Sequence, residues 1–336
     1  MNQNVEQKLS LISEGLSEII DLDTIETKMK NFESITAYWG TEPTRSPSLG
    51  YLIPMIKIRD LIKADINTII FLADVHAFLN KGLENIDRTE HKVNYYKFLI
   101  EKILNRLGVE KHEYTFILGS EVQLKPKYTL DLLRFMTVNT ISTAKKAGSE
   151  VVKQNKDPKV SSIIYPMMQV IDEMVLGADI QLGGVDQRKI FMLSRDQSEK
   201  INKPKCSYLI NQLLPNLKKP KLKMNSSDAS KIDFFDDEKA ITEKILDAYC
   251  IEHDDEIGKN PLLILVKYII FPILNRFMIY QNYDSFIKDW KDQKFFVKEF
   301  KLECAKCVNE ILLPIRKELE AVENKHLFDK AFGEAV

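Results

Sequence analysis

Cysteine is scarce in this chain, and long apolar runs and a charge of one sign are missing. Four cysteines among 336 residues, at 206, 250, 304 and 307, are too few for a disulfide scaffold of this size. The longest apolar stretches, Ile66–Ala73 and Tyr268–Leu274, fall well short of the roughly 18 residues that read as a membrane span. The amino terminus is polar and lacks the apolar core of a signal peptide. A reducing intracellular compartment, most simply the cytoplasm, is therefore expected, with no membrane partner. Lysine plus arginine come to 48 and aspartate plus glutamate to 49, a net charge of −1. That balance argues against a coat protein for nucleic acid but leaves room for a local basic patch.

The familiar short motifs are missing as well. There is no GxGxxG or GxxxxGK[ST] phosphate loop, no HExxH and no GxSxG. The five histidines (76, 91, 112, 253 and 326) are scattered. Cys304 and Cys307 have CxxC spacing, but they lack a second ligand pair and sit in a helical pattern. No metal held by protein side chains is expected.

The length suggests about two domains of roughly 100–200 residues each, and 44% apolar with 29% charged residues is ordinary globular composition. Leu9, Ile12, Leu16, Ile19 and Ile20 recur at spacings of three and four, which predicts an amphipathic helix over residues 5–30. From 41 to 50, Pro43, Pro47, flanking glycines and several hydroxyls read as a loop, followed by a helix over 51–63. Short apolar runs at 67–73, 114–118 and 206–210 read as strands buried on both faces. They alternate with helical patterns at 88–107 and 128–146, the signature of βαβ units. In such sheets ligands bind beyond the carboxyl ends of the strands, here near Asp74, Gly119 and Asn211. After residue 215 a lysine-rich, proline-broken stretch leads into helical patterns only, at 238–250, 260–278, 283–292 and 298–323. The expected architecture is a Rossmann-like α/β domain over 1–235 and an all-helical domain over 236–336.

Three segments stand apart from this background. In the Tyr38–Tyr51 stretch, Gly40 and Gly50 flank a turn into a helix N-terminus, where free N–H groups and the helix dipole favour an anion. Tyr165, Gln169 and Asp172 lie at i, i+4 and i+7, so they share one helix face. Three polar groups make a poor core face, because each needs a partner; they suit a pocket for a small polar ligand. The Lys223–Ser227 stretch, with lysine and hydroxyls, suits a loop that closes over phosphates.

Together with the Gly183–Lys189 segment, these stretches resemble a class I aminoacyl-tRNA synthetase of the tyrosyl type found in archaea and the eukaryotic cytoplasm. The resemblance runs from Lys8 to about Leu319 and includes the 147–154 and 313–317 tracts. It implies an α/β catalytic domain with a Rossmann-like parallel sheet, then a helical anticodon-binding domain. It also implies that tyrosine is activated with ATP and transferred to tRNA(Tyr). By that resemblance Asp172 and Tyr38 would bond the phenolic hydroxyl of L-tyrosine. Tyr165, Gln169 and Gln187 would hold its ammonium group, and Asp186 would face the ribose or amino-acid side of the adenylate. The family's HIGH-type motif falls on Ser48–Tyr51 and its KMSKS-type loop on Lys223–Ser227, within a closing loop spanning 216–230. Ser48, Tyr51, Lys223 and Ser226 would act in catalysis, and Gly40, Gly50 and Met224 would line ATP. Mg²⁺ would accompany ATP, held mainly by phosphates and water. Tyr283, Phe296 and Glu299 fall near anticodon-contacting positions. A homodimer through the 131–165 region is implied, and no appended domain is expected after residue 336.

The ATP motifs depart from the family pattern. Serine replaces the first HIGH histidine, Tyr51 replaces the last, and Asn225 and Ser226 alter the second motif. Two alternatives follow: a degenerate paralogue that binds tyrosine or tRNA without catalysis, and a tryptophanyl enzyme. If Lys218, Lys219 and Lys221 supply the phosphate charge that Ser48 lacks, alanine at all three will lower the adenylation rate. Pyrophosphate exchange measures that rate, and an unchanged value would rule the idea out.

Overall fold

A computed structural model describes residues 2–82, 89–152, 157–220, 224, 230–251 and 260–333. The chain divides into two compact units. One comprises Met1–Thr44, Lys57–Val93 and Glu110–Asn211; the other comprises Arg45–Ile56, Asn94–Val109 and Gln212–Val336.

The first unit is built on six strands: β1 (Leu16–Ile20), β2 (Thr36–Thr41), β3 (Asn67–Leu72), β4 (Tyr114–Leu118), β5 (Ile180–Gly184) and β6 (Ser207–Asn211). They lie in the order β1-β6-β5-β2-β3-β4. All neighbours are parallel except the β1–β6 pair. The chain runs outward through β2, β3 and β4, then returns to the other side of β2 as β5. The topological switch point, where such sheets bind ligands, is thus the cleft between β2 and β5. The unit's helices are α1 (Asn2–Ser13), α2 (Leu22–Lys30), α3 (Leu52–Lys63), α4 (Asp74–Lys81), α5 (Thr89–Arg106), α6 (Gly119–Gln123), α7 (Pro126–Thr137), α8 (Ile141–Ala147), α9 (Val160–Val175) and α10 (Arg188–Gln197). Parts of α3 and α5 belong to the second unit. One apolar cluster joins α7, α8, α9 and α10 through Tyr128, Phe135, Ala144, Val170, Ile171 and Ile190. Another lies on the sheet around Tyr38, Phe71, Phe191, Tyr208 and Ile210.

The second unit continues with α11 (Glu238–Leu246), α12 (Pro261–Leu265), α13 (Phe271–Leu274), α14 (Tyr283–Lys291), α15 (Val297–Glu320) and α16 (Val322–Phe332). Pro261 opens α12 at a position where its missing N–H is harmless. The Asn260 side chain accepts from the N–H groups of Leu262 and Leu263 at 3.0 and 3.3 Å. A π-helical turn, Val266–Ile270, links α12 to α13, and Asn275, left-handed at φ 55°, ends the run.

Several sequence expectations need correction. The helix over 5–30 is instead α1, β1 and α2. Gly15, at φ 69°, ends the first helix, and Asp21, at φ 59°, turns β1 into α2. The spacing of three and four bridged that glycine, and pairing with β6 decides the conformation of Leu16–Ile20. The helix over 128–146 is two helices. Thr140 breaks it by accepting from the Thr143 N–H at 3.1 Å, an N-cap that competes with helix continuation. Gly40 is a residue of β2 rather than of a turn, and β5 was not anticipated. No described helix is long and apolar enough to cross a membrane.

A buried ion pair ties α9 to the chain just before β6. Lys203 Nζ lies 2.5 Å from Glu173 Oε2, and both side chains are shielded from solvent. Ser194 donates to the same carboxylate at 2.6 Å and Tyr208 at 3.3 Å. Burial pushes the Glu173 carboxyl upward, while the Lys203 ammonium and these donors pull it back. Lys203→Met should destabilise the protein by about 3–5 kcal/mol, because it strands a buried charge, whereas adding Glu173→Gln should recover part of the loss. Urea unfolding measures both; equal losses in the single and double variants would contradict this account.

Candidate active site

Helix α9 presents Tyr165, Gln169 and Asp172 on one face, as their spacing predicted, and all three are buried. Asp172 is only 2% exposed. A carboxylate so shielded needs strong partners, and three elements supply them. Tyr128 Oη of α7 donates to Oδ1 at 2.7 Å, Gln123 Nε2 of α6 donates to Oδ1 at 2.8 Å, and His76 Nε2 of α4 lies 2.9 Å from Oδ2. Burial, then the Asp172 charge, hold the Tyr128 phenol well above its ordinary range, so it stays a donor.

Gly119 makes this arrangement possible. A Cβ there would lie 2.7 Å from both Asp74 Oδ1 and Gln123 Oε1. Asp74 itself caps α6 by accepting from the Ser120 N–H at 2.8 Å.

Tyr38 stands on β2 with its ring edge-on to Phe71. It is 2% exposed, and its hydroxyl has no partner among the described residues. Burial, followed by the carboxylates of Glu173 and Asp172, keeps that phenol protonated. Opposite, the Tyr165 hydroxyl donates to Glu42 Oε1 in a short bond, and Asn80 Nδ2 donates to Glu42 Oε2 at 2.9 Å. The His76 ring meets Tyr165 edge-on at 4.4 Å. Gln169 Nε2 donates to Gln187 Oε1 at 2.9 Å. Gln187 approaches closely because residue 183 is glycine: a Cβ there would fall 2.5 Å from Phe191 Cζ and 3.0 Å from Gln187 Oε1. Asp186 sits in the same turn at the end of β5, near enough to Tyr165 to raise its phenol further. Gly40 has no such constraint, since a Cβ would meet only ordinary contacts at 3.7–4.0 Å.

The other sequence-identified positions lie in the second unit. Ser48 is buried and precedes a 3₁₀ turn, Leu49–Tyr51. The Tyr51 N–H bonds the Ser48 carbonyl at 2.9 Å, and the Tyr51 ring stands edge-on to Tyr96. Gly50 has Ser48 Oγ and Leu214 Cβ at ordinary contact distance. The Met224 N–H bonds the Leu214 carbonyl at 2.9 Å. Lys223 and Ser226, with Lys221, Asn225 and Ser227, lie outside the described residues. The Lys218 ammonium is paired with Asp247. Tyr283 opens α14 with Lys267 Nζ 5.5 Å from its ring centre. Phe296 caps α15 and is 76% exposed, and Glu299 follows in the first turn. Among the described residues no group of three or more His, Cys, Asp or Glu side chains is arranged to hold a metal ion.

The structure thus joins five predicted residues, Tyr38, Tyr165, Gln169, Asp172 and Gln187, with five that the sequence reading missed: Glu42, His76, Asn80, Gln123 and Tyr128. The strand-end rule pointed near two of these groups, since His76 follows Asp74 and Gln123 follows Gly119. Nothing local marks Glu42 or Tyr128.

Buried donors and acceptors gathered at the switch point of a parallel sheet stand where open α/β folds take small ligands. The family model described as tRNA synthetases class I (W and Y) matches residues 30–316. The chain belongs to that family of class I aminoacyl-tRNA synthetases. It is 37% identical over 330 residues to the probable cytoplasmic tyrosine–tRNA ligase of Encephalitozoon cuniculi, covering 94% of this chain and 96% of that one. It is 34% identical to the cytoplasmic tyrosine–tRNA ligase of Saccharomyces cerevisiae, over 93% and 84% of the two chains. Among solved structures it is similar to the tyrosyl-tRNA synthetase of Archaeoglobus fulgidus complexed with L-tyrosine. There the TM-score is 0.86 at 31% identity, over 94% of this chain and 99% of that one.

Tyr128→Phe should lower unfolding free energy by about 1.5–3 kcal/mol, the usual worth of a hydrogen bond to a charged group. Chemical denaturation measures it, and an unmoved midpoint would show that the phenol adds nothing to Asp172.

Proposed function

We propose that the chain is a cytoplasmic tyrosine–tRNA ligase, which activates L-tyrosine with ATP and transfers it to tRNA(Tyr). The observation that carries this reading is the buried Asp172 carboxylate beside the unpartnered Tyr38 hydroxyl. A substrate phenol donates to Asp172 and accepts from Tyr38. Phenylalanine leaves the Tyr38 hydroxyl unpaired and offers Asp172 no further donor, which discriminates by roughly 10⁴–10⁵ and removes the need for editing. Tryptophan brings an indole N–H but no group to accept from Tyr38.

The substrate ammonium is held by Tyr165, Gln169 and Gln187, and the Glu42 carboxylate behind Tyr165 adds the countercharge. The substrate carboxylate is already ionised near pH 7, so attack on the α-phosphorus of ATP needs no general base. Positioning and charge stabilisation lower the barrier. Ser48, Gly50, Tyr51 and the 216–230 loop, with Lys223, Met224 and Ser226, serve the nucleotide, as does Gly40, and Asp186 faces the ribose or amino-acid side of the adenylate. Mg²⁺ enters with ATP, bound mainly by phosphates and water. The terminal ribose hydroxyl of the tRNA then attacks the adenylate.

The helical part, 236–336, would read the anticodon, with exposed Phe296 as a stacking surface and Tyr283 and Glu299 near it. Leu124, Leu130, Leu133, Met136 and Ile141 are all exposed along and beside α7. So many exposed apolar side chains favour a homodimer across this face, where a two-fold interface would bury them.

Tyrosine-dependent ATP–pyrophosphate exchange tests the reading. Exchange is expected with tyrosine and not with phenylalanine or tryptophan; tryptophan-dependent exchange, or none with any amino acid, would overturn it. Leu133→Asp is expected to shift the chain toward monomer in analytical ultracentrifugation.

A further inference from the structure

Asp233 is the centre of a contact network inside the second unit. Its Oδ2 accepts from Ser46 Oγ at 2.9 Å and pairs with Lys231 Nζ at 2.9 Å. The same ammonium donates to the Ser46 carbonyl at 3.0 Å. The Leu49 N–H bonds the Ile232 carbonyl at 2.9 Å, and Ser48 and Asp233 form an isolated antiparallel bridge. The segment that leaves the 216–230 loop is therefore laced to the loop carrying Ser48 and Gly50. Asn216 Oδ1 accepts from Ser230 Oγ at 3.3 Å, which draws the two ends of the 216–230 loop together.

An aromatic cluster backs this network. Phe235 follows Asp233 by two residues, and its ring centre lies 4.4 Å from that of Phe328 on α16. Tyr95 meets Phe328 at 5.6 Å and Phe332 at 5.3 Å, and stacks with Phe235 at 6.5 Å. Tyr95 is buried close to the Asp233 carboxylate. Ala331 is buried on the same helix.

We propose that α16 is a positioning element for ATP: Phe328 and Phe332, through Phe235 and Tyr95, hold Asp233 and Lys231 against the Ser46–Ser48 backbone and so fix the loop that carries Ser48 and Gly50. This rests on reading that loop as part of the ATP site. Residues of the tyrosine pocket lie in the other unit and take no part in the network, so the effect is specific to one substrate.

The test uses the full chain with Phe328→Ala and Phe332→Ala together and, separately, Ser46→Ala. Pyrophosphate exchange gives KM for ATP, and calorimetry without ATP gives the tyrosine Kd. The KM for ATP is expected to rise about tenfold, with the tyrosine Kd held within about twofold. An unchanged KM for ATP, with or without a lower Tm, overturns the proposal, as does an equal weakening of both substrates. If the alanine pair does not fold, Phe328→Leu with Phe332→Leu, alongside Ser46→Ala, carries the same comparison. No exchange by the unaltered chain overturns the ATP reading and this proposal together. Exchange with an unaffected KM for ATP overturns this proposal alone.

Discussion

Everything around the pocket depends on giving one carboxylate its partners out of reach of water. An isolated buried carboxylate would be protonated or expelled. Asp172 is instead met by donors from α4, α6 and α7. Those three helices must therefore stand in fixed register with α9, and the pocket takes its shape as a by-product. Tyr128 Oη also lies 3.0 Å from the Met168 carbonyl one turn earlier on α9, so its single proton is shared between two acceptors. The same phenol thus holds the backbone of the helix and the charge that the helix presents.

The next residue shows a different solution to the same problem. Glu173 is turned about 100° around the helix from Asp172 and faces the sheet. There Lys203 neutralises it directly. A carboxylate closed by an ammonium has little left to offer a ligand. Asp172 is met instead by a phenol, an amide and an imidazole, with no lysine or arginine among these partners. Two adjacent acids on one helix thus differ in the kind of partner that closes them.

Parts of this were legible in the sequence. β3 and β6 are largely buried, as their apolar texture predicted, whereas β4, read the same way, is an edge strand with Thr115 exposed and Phe116–Leu118 half-buried. β2 and β5 are more central in the sheet, yet Trp39–Gly40 and Gly183–Gly184 read as turn chemistry. Gly183, one of the two glycines that disguise β5, is the one that lets Gln187 and Phe191 come close. The Tyr165, Gln169 and Asp172 face was legible because helical period is local. Its donors were not, because each arrives from a separate element and only tertiary folding brings them together. The N-terminal helix failed for the opposite reason: a plausible local period was overridden by a partner far along the chain.

That partner has a bearing on how the protein is made. β1 is translated before the other five strands, yet Leu16 pairs with Asn211 and Ile20 with Tyr208 in the last of them. At about 5–20 residues per second, the strand made first has no β6 to pair with until the other four have been synthesised. A nascent chain halted before β6 therefore lacks the partner of β1 and carries an open sheet edge.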